Sequence, residues 1–168
     1  MGGSTASKIG QGVVVFLVVG VLGLIFWPIH SGGYPVAERT LCLSNVKQLG
    51  IGQLIYVADY DDRFPNRDNW MDASLPYIKR EETFHDPIFK KTPALYGYCF
   101  NAQLSLAKTP ATGTAEIPLI FDSTNQARNA SGSLASLPSP GRHKNRNSDS
   151  SFNNIGYADS HVKWRQTP

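Results

Sequence analysis

The residues able to do chemistry fall into three groups along this chain. Asp59, Asp61, Asp62, Asp68 and Asp72 crowd one short stretch, and carboxylate oxygens are the ligands that hard cations such as calcium take. An EF-hand loop would need Gly at the sixth position counted from Asp59 and Glu at the twelfth, where Phe64 and Trp70 stand. The stretch therefore reads first as a solvated turn behind a helix. Asp59, Asp61 and Asp62 are kept as calcium candidates, and no metal site is assigned. His143, Asp159 and His161 form the second group. They suit a metal or acid–base cluster, but the preferred reading is a structural His–Asp hydrogen bond stapling the polar stretch after His143 to the C-terminal hairpin. Alternation along a strand puts Asp159 and His161 on the same face. Cys42 and Cys99 are the third group. They can pair in an oxidising compartment or stay as two buried free thiols, and both readings remain open.

The usual catalytic signatures are missing: there is no G-x-S-x-G, H-E-x-x-H, phosphate-binding loop or C-x-x-C. No enzyme and no cofactor are expected. Trp70, Tyr77, Tyr96, Tyr98 and Phe100 could line a carbohydrate surface, yet core packing accounts for most aromatic residues. The net charge is +3, with Lys8 the one basic residue before Glu38. The remaining 15 basic residues face 13 acidic ones, too even a balance to argue for nucleic acid. Arg142, His143, Lys144 and Arg146 stand among Asn, Ser and Gly and read as a solvated loop.

The elements that must position these groups begin with an apolar run. Val13 to Ile29 is uninterrupted, and no charged residue occurs from Ile9 to Ala37. Its 17 residues span roughly 26 Å as helix, close to the hydrocarbon thickness of a bilayer. Residues 13–30 are read as an uncleaved transmembrane anchor. A cleavable signal peptide is the main rival, although the run is long for one and no A-x-A-like site follows. Lys8 and the amino terminus precede the run, so the positive-inside bias places a short tail, residues 1–12, in the cytoplasm and the head outside. The expected location is the inner membrane, with the lipid bilayer as the first partner.

Pro28 is expected to end or kink the first helix, residues 31–35 to form a Gly/Pro hinge, and Pro35 to open a second helix. Leu43, Val46, Gly50, Leu54 and Val57 recur at spacings of three and four, widened by Leu41, Leu49 and Ile55. This pattern predicts an amphipathic helix over about 36–60, with Lys47, Gln48 and Gln53 turned away from its apolar face. Tyr96–Phe100, Ile117–Asp122, Ile155–Ala158 and His161–Trp164 read as short strands, the last two forming a hairpin through Asp159-Ser160. Residues 107–114 and 125–141 read as loops. The fold class is α+β: an anchor, a hinge, and a head (36–168) in which a helix packs on a small antiparallel sheet.

Particular blocks carry a family likeness. Cys42-Leu43-Ser44-Asn45-Val46-Lys47-Gln48-Leu49-Gly50, the run Tyr56 to Pro65, Tyr96 to Asn101, and Tyr157-Ala158-Asp159-Ser160-His161-Val162-Lys163-Trp164 resemble a family of bacterial pilin-like proteins. These join a prepilin-type N-terminal helix to a C-terminal H-X9-DG segment. The likeness covers Leu41 to Trp164 in scattered blocks. It implies a pilin-like or pseudopilin-like structural subunit of a type IV pilus, type II secretion system or related envelope assembly, with other such subunits as partners. The chain departs from the pattern in several places. Gln11 falls where the family carries the assembly glutamate, and the cleavage motif is missing. Fifteen residues separate His143 from Asp159. Asp86, in Phe84-His85-Asp86-Pro87, stands where the family has a cysteine. The alternative is a stand-alone anchored module that binds glycan, cation or an envelope protein without polymerising.

Overall fold

The computed structural model describes residues 4–30, 34–89, 92, 94–144 and 150–167. The chain divides into two units, Met1–Pro35 and Val36–Pro168. The first unit holds helix α1, Ser4–His30. Among the described residues this is the one helix long and apolar enough to cross a membrane; its Gly10–Trp27 window has a mean hydropathy of 2.3. Phe16, Leu24 and Trp27 are 77–80% exposed, which in water would be a large standing cost. Pro28 does not end the helix, which continues to His30. A proline lacks the amide and crowds the turn before it, but the residues after it can carry the helix on. Residues 31–33 of the expected hinge lie outside the described residues.

The second unit is α+β. Helix α2, Tyr34–Asp59, lies across a six-stranded sheet made of β1 Tyr98–Asn101, β2 Pro118–Asp122, β3 Ser131–Gly132, β4 His143–Lys144, β5 Ser151–Tyr157 and β6 Val162–Thr167. All pairings are antiparallel except the short β1–β3 contact. Strand β5 organises the sheet. Strand β6 pairs along it from Ser151 to Gly156, β2 pairs with its C-terminal half, and β4 pairs with Ser151 and Phe152. Thus β2 ends and β4 begins against the same strand. The C-terminal hairpin turns through Ser160, whose φ of 68° is left-handed, and Tyr157 N–H bonds to His161 O at 2.9 Å.

Alternation sorts the β-strand side chains into two layers. Tyr98, Phe100 and Ile120 join Cys42, Val46, Leu49 and Val57 of α2 in the main core. Cys99, Phe121 and Ile155 form a smaller cluster. The buried face of α2 keeps Val46, Leu49, Gly50 and Val57 of the expected stripe but not Leu41 and Ile55, which are 43% and 45% exposed, and Gln53 is fully buried rather than outward. Apolar residues ring much of this helix, so the sheet could choose among faces. Gly156 lets Val46 approach β5, where a Cβ would sit 2.9 Å from Val46 Cγ1.

Helix α3, Trp70–Ile78, had no sequence prediction. Its Trp70 indole is fully buried, stacks on Phe100 with ring centroids 5.9 Å apart, and donates to Ala130 O at 3.0 Å. Gly52 of α2 admits Ile78, whose Cγ1 would be 2.5 Å from an added Cβ. The close partner at this glycine is therefore helix α3. By chemical denaturation, Trp70→Ala is expected to cost about 3–5 kcal/mol through lost burial and a cavity, and Gly52→Ala about 1–3 kcal/mol through overpacking.

Candidate functional site

At the seam where β2 ends and β4 begins, four potential ligand residues from four separate segments converge under α2. Asp122 closes β2, and its Oδ2 accepts the Asn154 backbone N–H at 2.7 Å. His143 opens β4, opposite Phe152. Two residues apart on β5, Asn154 and Phe152 share a face of the sheet, so Asp122 and His143 meet over it. His143 Nε2 lies 3.3 Å from Asp122 Oδ2 with only 4% of its side chain exposed, yet it makes no hydrogen bond. Cys42 comes from the buried face of α2, its Sγ 3.6 Å from Asp122 Oδ1. Asp86 precedes the 3₁₀ turn Pro87–Phe89, where its Oδ1 accepts the Ile88 N–H at 3.0 Å. Asp-Pro is a natural way to start such a turn, since the carboxylate caps a free amide and proline needs none. Cys42 Sγ, one oxygen from each of Asp86 and Asp122, and one His143 ring nitrogen lie within 4.8 Å of one another.

The surrounding groups supply donors. Arg142 Nη1 donates to Asp86 Oδ2 at 2.8 Å and to Gly97 O at 2.7 Å, and its Nη2 donates to Ser123 O. Cys42 Sγ receives the Tyr98 hydroxyl at 3.3 Å and the Asn154 side-chain amide at 3.2 Å. Burial pushes the Cys42 thiol well up, and the neighbouring Asp122 and Asp86 charges push it the same way. Burial also raises the Asp86 carboxyl, reinforced by Asp122 and opposed by Arg142. The arrangement can bind a cation through mixed sulfur, nitrogen and oxygen donors. For nucleophilic chemistry the thiol is poorly placed, because a raised thiol is protonated and a buried one is unreachable.

This geometry corrects several expectations. His143 does not staple to Asp159; it faces Asp122, because β4 turns it inward. Asp159 and His161 pair with each other instead, Nδ1 to Oδ1 at 2.5 Å, and they do so in the hairpin turn rather than along a strand. Cys42 and Cys99 are both free. They lie in different clusters, because Cys99 points away from Tyr98 and Phe100 on β1. Arg142 and His143 are buried rather than solvated, whereas Lys144 is exposed and Arg146 lies outside the described residues. Asp59, Asp61 and Asp62 do not converge on a cation position among the described residues. Asp61 and Asp62 occupy exposed left-handed turns with φ of 52° and 59°. Asp59 accepts the Tyr77 hydroxyl at 2.8 Å, a bond that pushes the phenol up to about 12.

Sequence reasoning missed Asp86 and Asp122 altogether. It marked Cys42 and His143 for other roles. It also missed Arg128, which joins Asp72 at 2.6 Å and Glu81 on the surface beside α3. Asn129 Nδ2 adds a bond to Asp72 Oδ2 at 2.6 Å.

Two outcomes follow from the geometry. Iodoacetamide at pH 8 is expected to label neither cysteine in the folded protein and both after denaturation, with no disulfide found by mass. The Arg128 hydrogen bonds, then that of Asn129, hold the Asp72 carboxyl below its ordinary value of 3.8. Its contribution to stability is therefore present above that value and fades as pH falls through the lowered one. In Arg128→Ala, followed by carboxyl NMR, Asp72 should titrate back toward 3.8.

Set beside known proteins, the chain matches no family model, no curated protein and no solved structure.

Proposed function

We propose that this protein is a membrane-anchored, pilin-like or pseudopilin-like subunit of an envelope assembly, with its N-terminus in the cytoplasm and its head in the periplasm or outside the cell. One observation carries the reading: α2 exposes apolar side chains on the side away from its own sheet, among the polar Ser44, Lys47 and Gln48. Ile51 and Ile55, a helical turn apart, are 41% and 45% exposed, and Leu41 is 43% exposed, while Cys42, Val46, Leu49 and Gln53 face inward with no exposure at all. A helix that already has its core, yet keeps large apolar side chains exposed outside it, suits packing against a neighbouring helix. The charge-free Gly10–Trp27 stretch of α1 supports an anchor, and the blocks from Cys42 to Gly50 and Tyr157 to Trp164 support the pilin-like comparison.

A second reading rests on Gln11. An amide there cannot supply the negative charge that would neutralise a neighbouring subunit's amino terminus, which favours an anchored module that does not polymerise.

The full chain, extracted from membranes in mild detergent, separates the two readings. N-terminal sequencing together with sedimentation should give high-mass assemblies that Ile51→Lys with Ile55→Lys reduces at least about tenfold. Such exposed changes shift head stability by only about 0.5 kcal/mol each, so an unchanged thermal melt would assign the loss to assembly. An intact N-terminus with monomers at all concentrations would sink the subunit reading and leave the binding module.

A further inference from the structure

We propose that Cys42, Asp86, Asp122 and His143 bind one divalent transition-metal ion of the zinc class at the seam between β2 and β4. The donor set selects the ion. A thiolate and an imidazole are poor ligands for calcium or magnesium, which take oxygen, and good ones for zinc. Tetrahedral zinc has bonds of about 2.0–2.3 Å, which sets its ligand atoms roughly 3.5 Å apart. The four donor atoms here lie within 4.8 Å of one another, so side-chain rotations of about 1 Å complete the coordination sphere.

A second observation points the same way. The His143 side chain is 4% exposed, and its Nε2, aimed into the cluster, has no hydrogen-bond partner. The Asp122 Oδ2 at 3.3 Å stands within ion-pair distance but outside hydrogen-bond geometry, and a metal bond would satisfy this buried nitrogen more fully. Charge agrees as well. One divalent ion with one thiolate, two carboxylates and the Arg142 guanidinium sums to zero.

The outer contacts are those of a supported ligand set. Tyr98 and Asn154 donate to Sγ, the Asn154 N–H holds Asp122, and Ile88 N–H and Arg142 hold Asp86. A cleft of about 470 Å³, lined among others by Asn45, Glu81, His85 and Asp86, lies on the solvent side of Asp86, whose side chain is itself fully buried. Binding displaces the Cys42 thiol proton to solvent, so affinity rises with pH. None of this depends on whether the chain assembles.

The test uses the full chain in detergent, stripped with a chelator, then titrated with Zn²⁺ against a chromogenic competitor and separately with Co²⁺. One equivalent of each should bind. The Co²⁺ form should show the intense visible bands of a tetrahedral site and a thiolate-to-cobalt charge-transfer band. Cys42→Ser should abolish the charge-transfer band and, like His143→Gln, weaken Zn²⁺ by at least about 100-fold. His161→Ala, in the exposed pair, should change affinity less than about threefold. Free Zn²⁺ at one hundred times Kd should raise the Tm by roughly 8 °C. The proposal is overturned by sub-stoichiometric binding, by a Co²⁺ spectrum lacking the thiolate band, or by binding that survives both ligand substitutions. If the variants do not fold, the wild-type Co²⁺ spectrum and stoichiometry decide.

Discussion

A carboxylate taken out of water must be paired, hydrogen-bonded or neutralised, and the head is arranged around two of them. Asp86 and Asp122 are 1% and 0% exposed. Meeting their demands determines what surrounds them. Arg142 is drawn under Phe89 and into the layer beside Gly97, which has a φ of 94° and no room for a Cβ beside Arg142 Nη1. Asn154 turns its backbone amide toward Asp122 and its side chain toward Cys42. The segment after α3 is held because Asp86 N–H bonds to Tyr96 O at 2.8 Å and the Asn45 side-chain amide reaches His85 O at 3.2 Å. These contacts tie α2, the 3₁₀ turns, the start of β1 and the β4–β5 pair into one layer that apolar packing alone would leave adjustable.

Much of the fold was legible because its signals are local. The second helix, the strand before Asp122 and the hairpin around Asp159-Ser160 follow from periodicity and turn chemistry, and each appears within a few residues of its expected place. Helix α3 escaped because its nine residues contain Pro76 and its helical spacing is too short to read. Its stability comes from Trp70 and the docked loop 128–130, which are tertiary causes. The edges of the buried face of α2, Leu41, Gln53 and Ile55, were misjudged because apolar residues lie on more than one side of the helix. The site was scarcely legible at all. Its ligands come from a helix, a turn, the end of one strand and the start of another, so no spacing rule links them. The signals that could have helped are Asp-Pro at 86–87 and the carboxylate ending the apolar strand Pro118–Asp122.

The fold brings position 86 beside Cys42. With a carboxylate there, Cys42 has no sulfur neighbour among the described residues and remains a thiol in a buried polar corner.

The order of the chain through that corner has a kinetic consequence. Contacts between residue 42 and residue 143, with 86 and 122 between them, cannot form until nearly the whole head has been drawn together. Closing such long loops is entropically expensive and therefore slow. The β5–β6 hairpin and α3 close short loops, whereas the four-residue corner closes far longer ones. A head in which the corner is closed has placed its helix, its turns and both halves of its sheet.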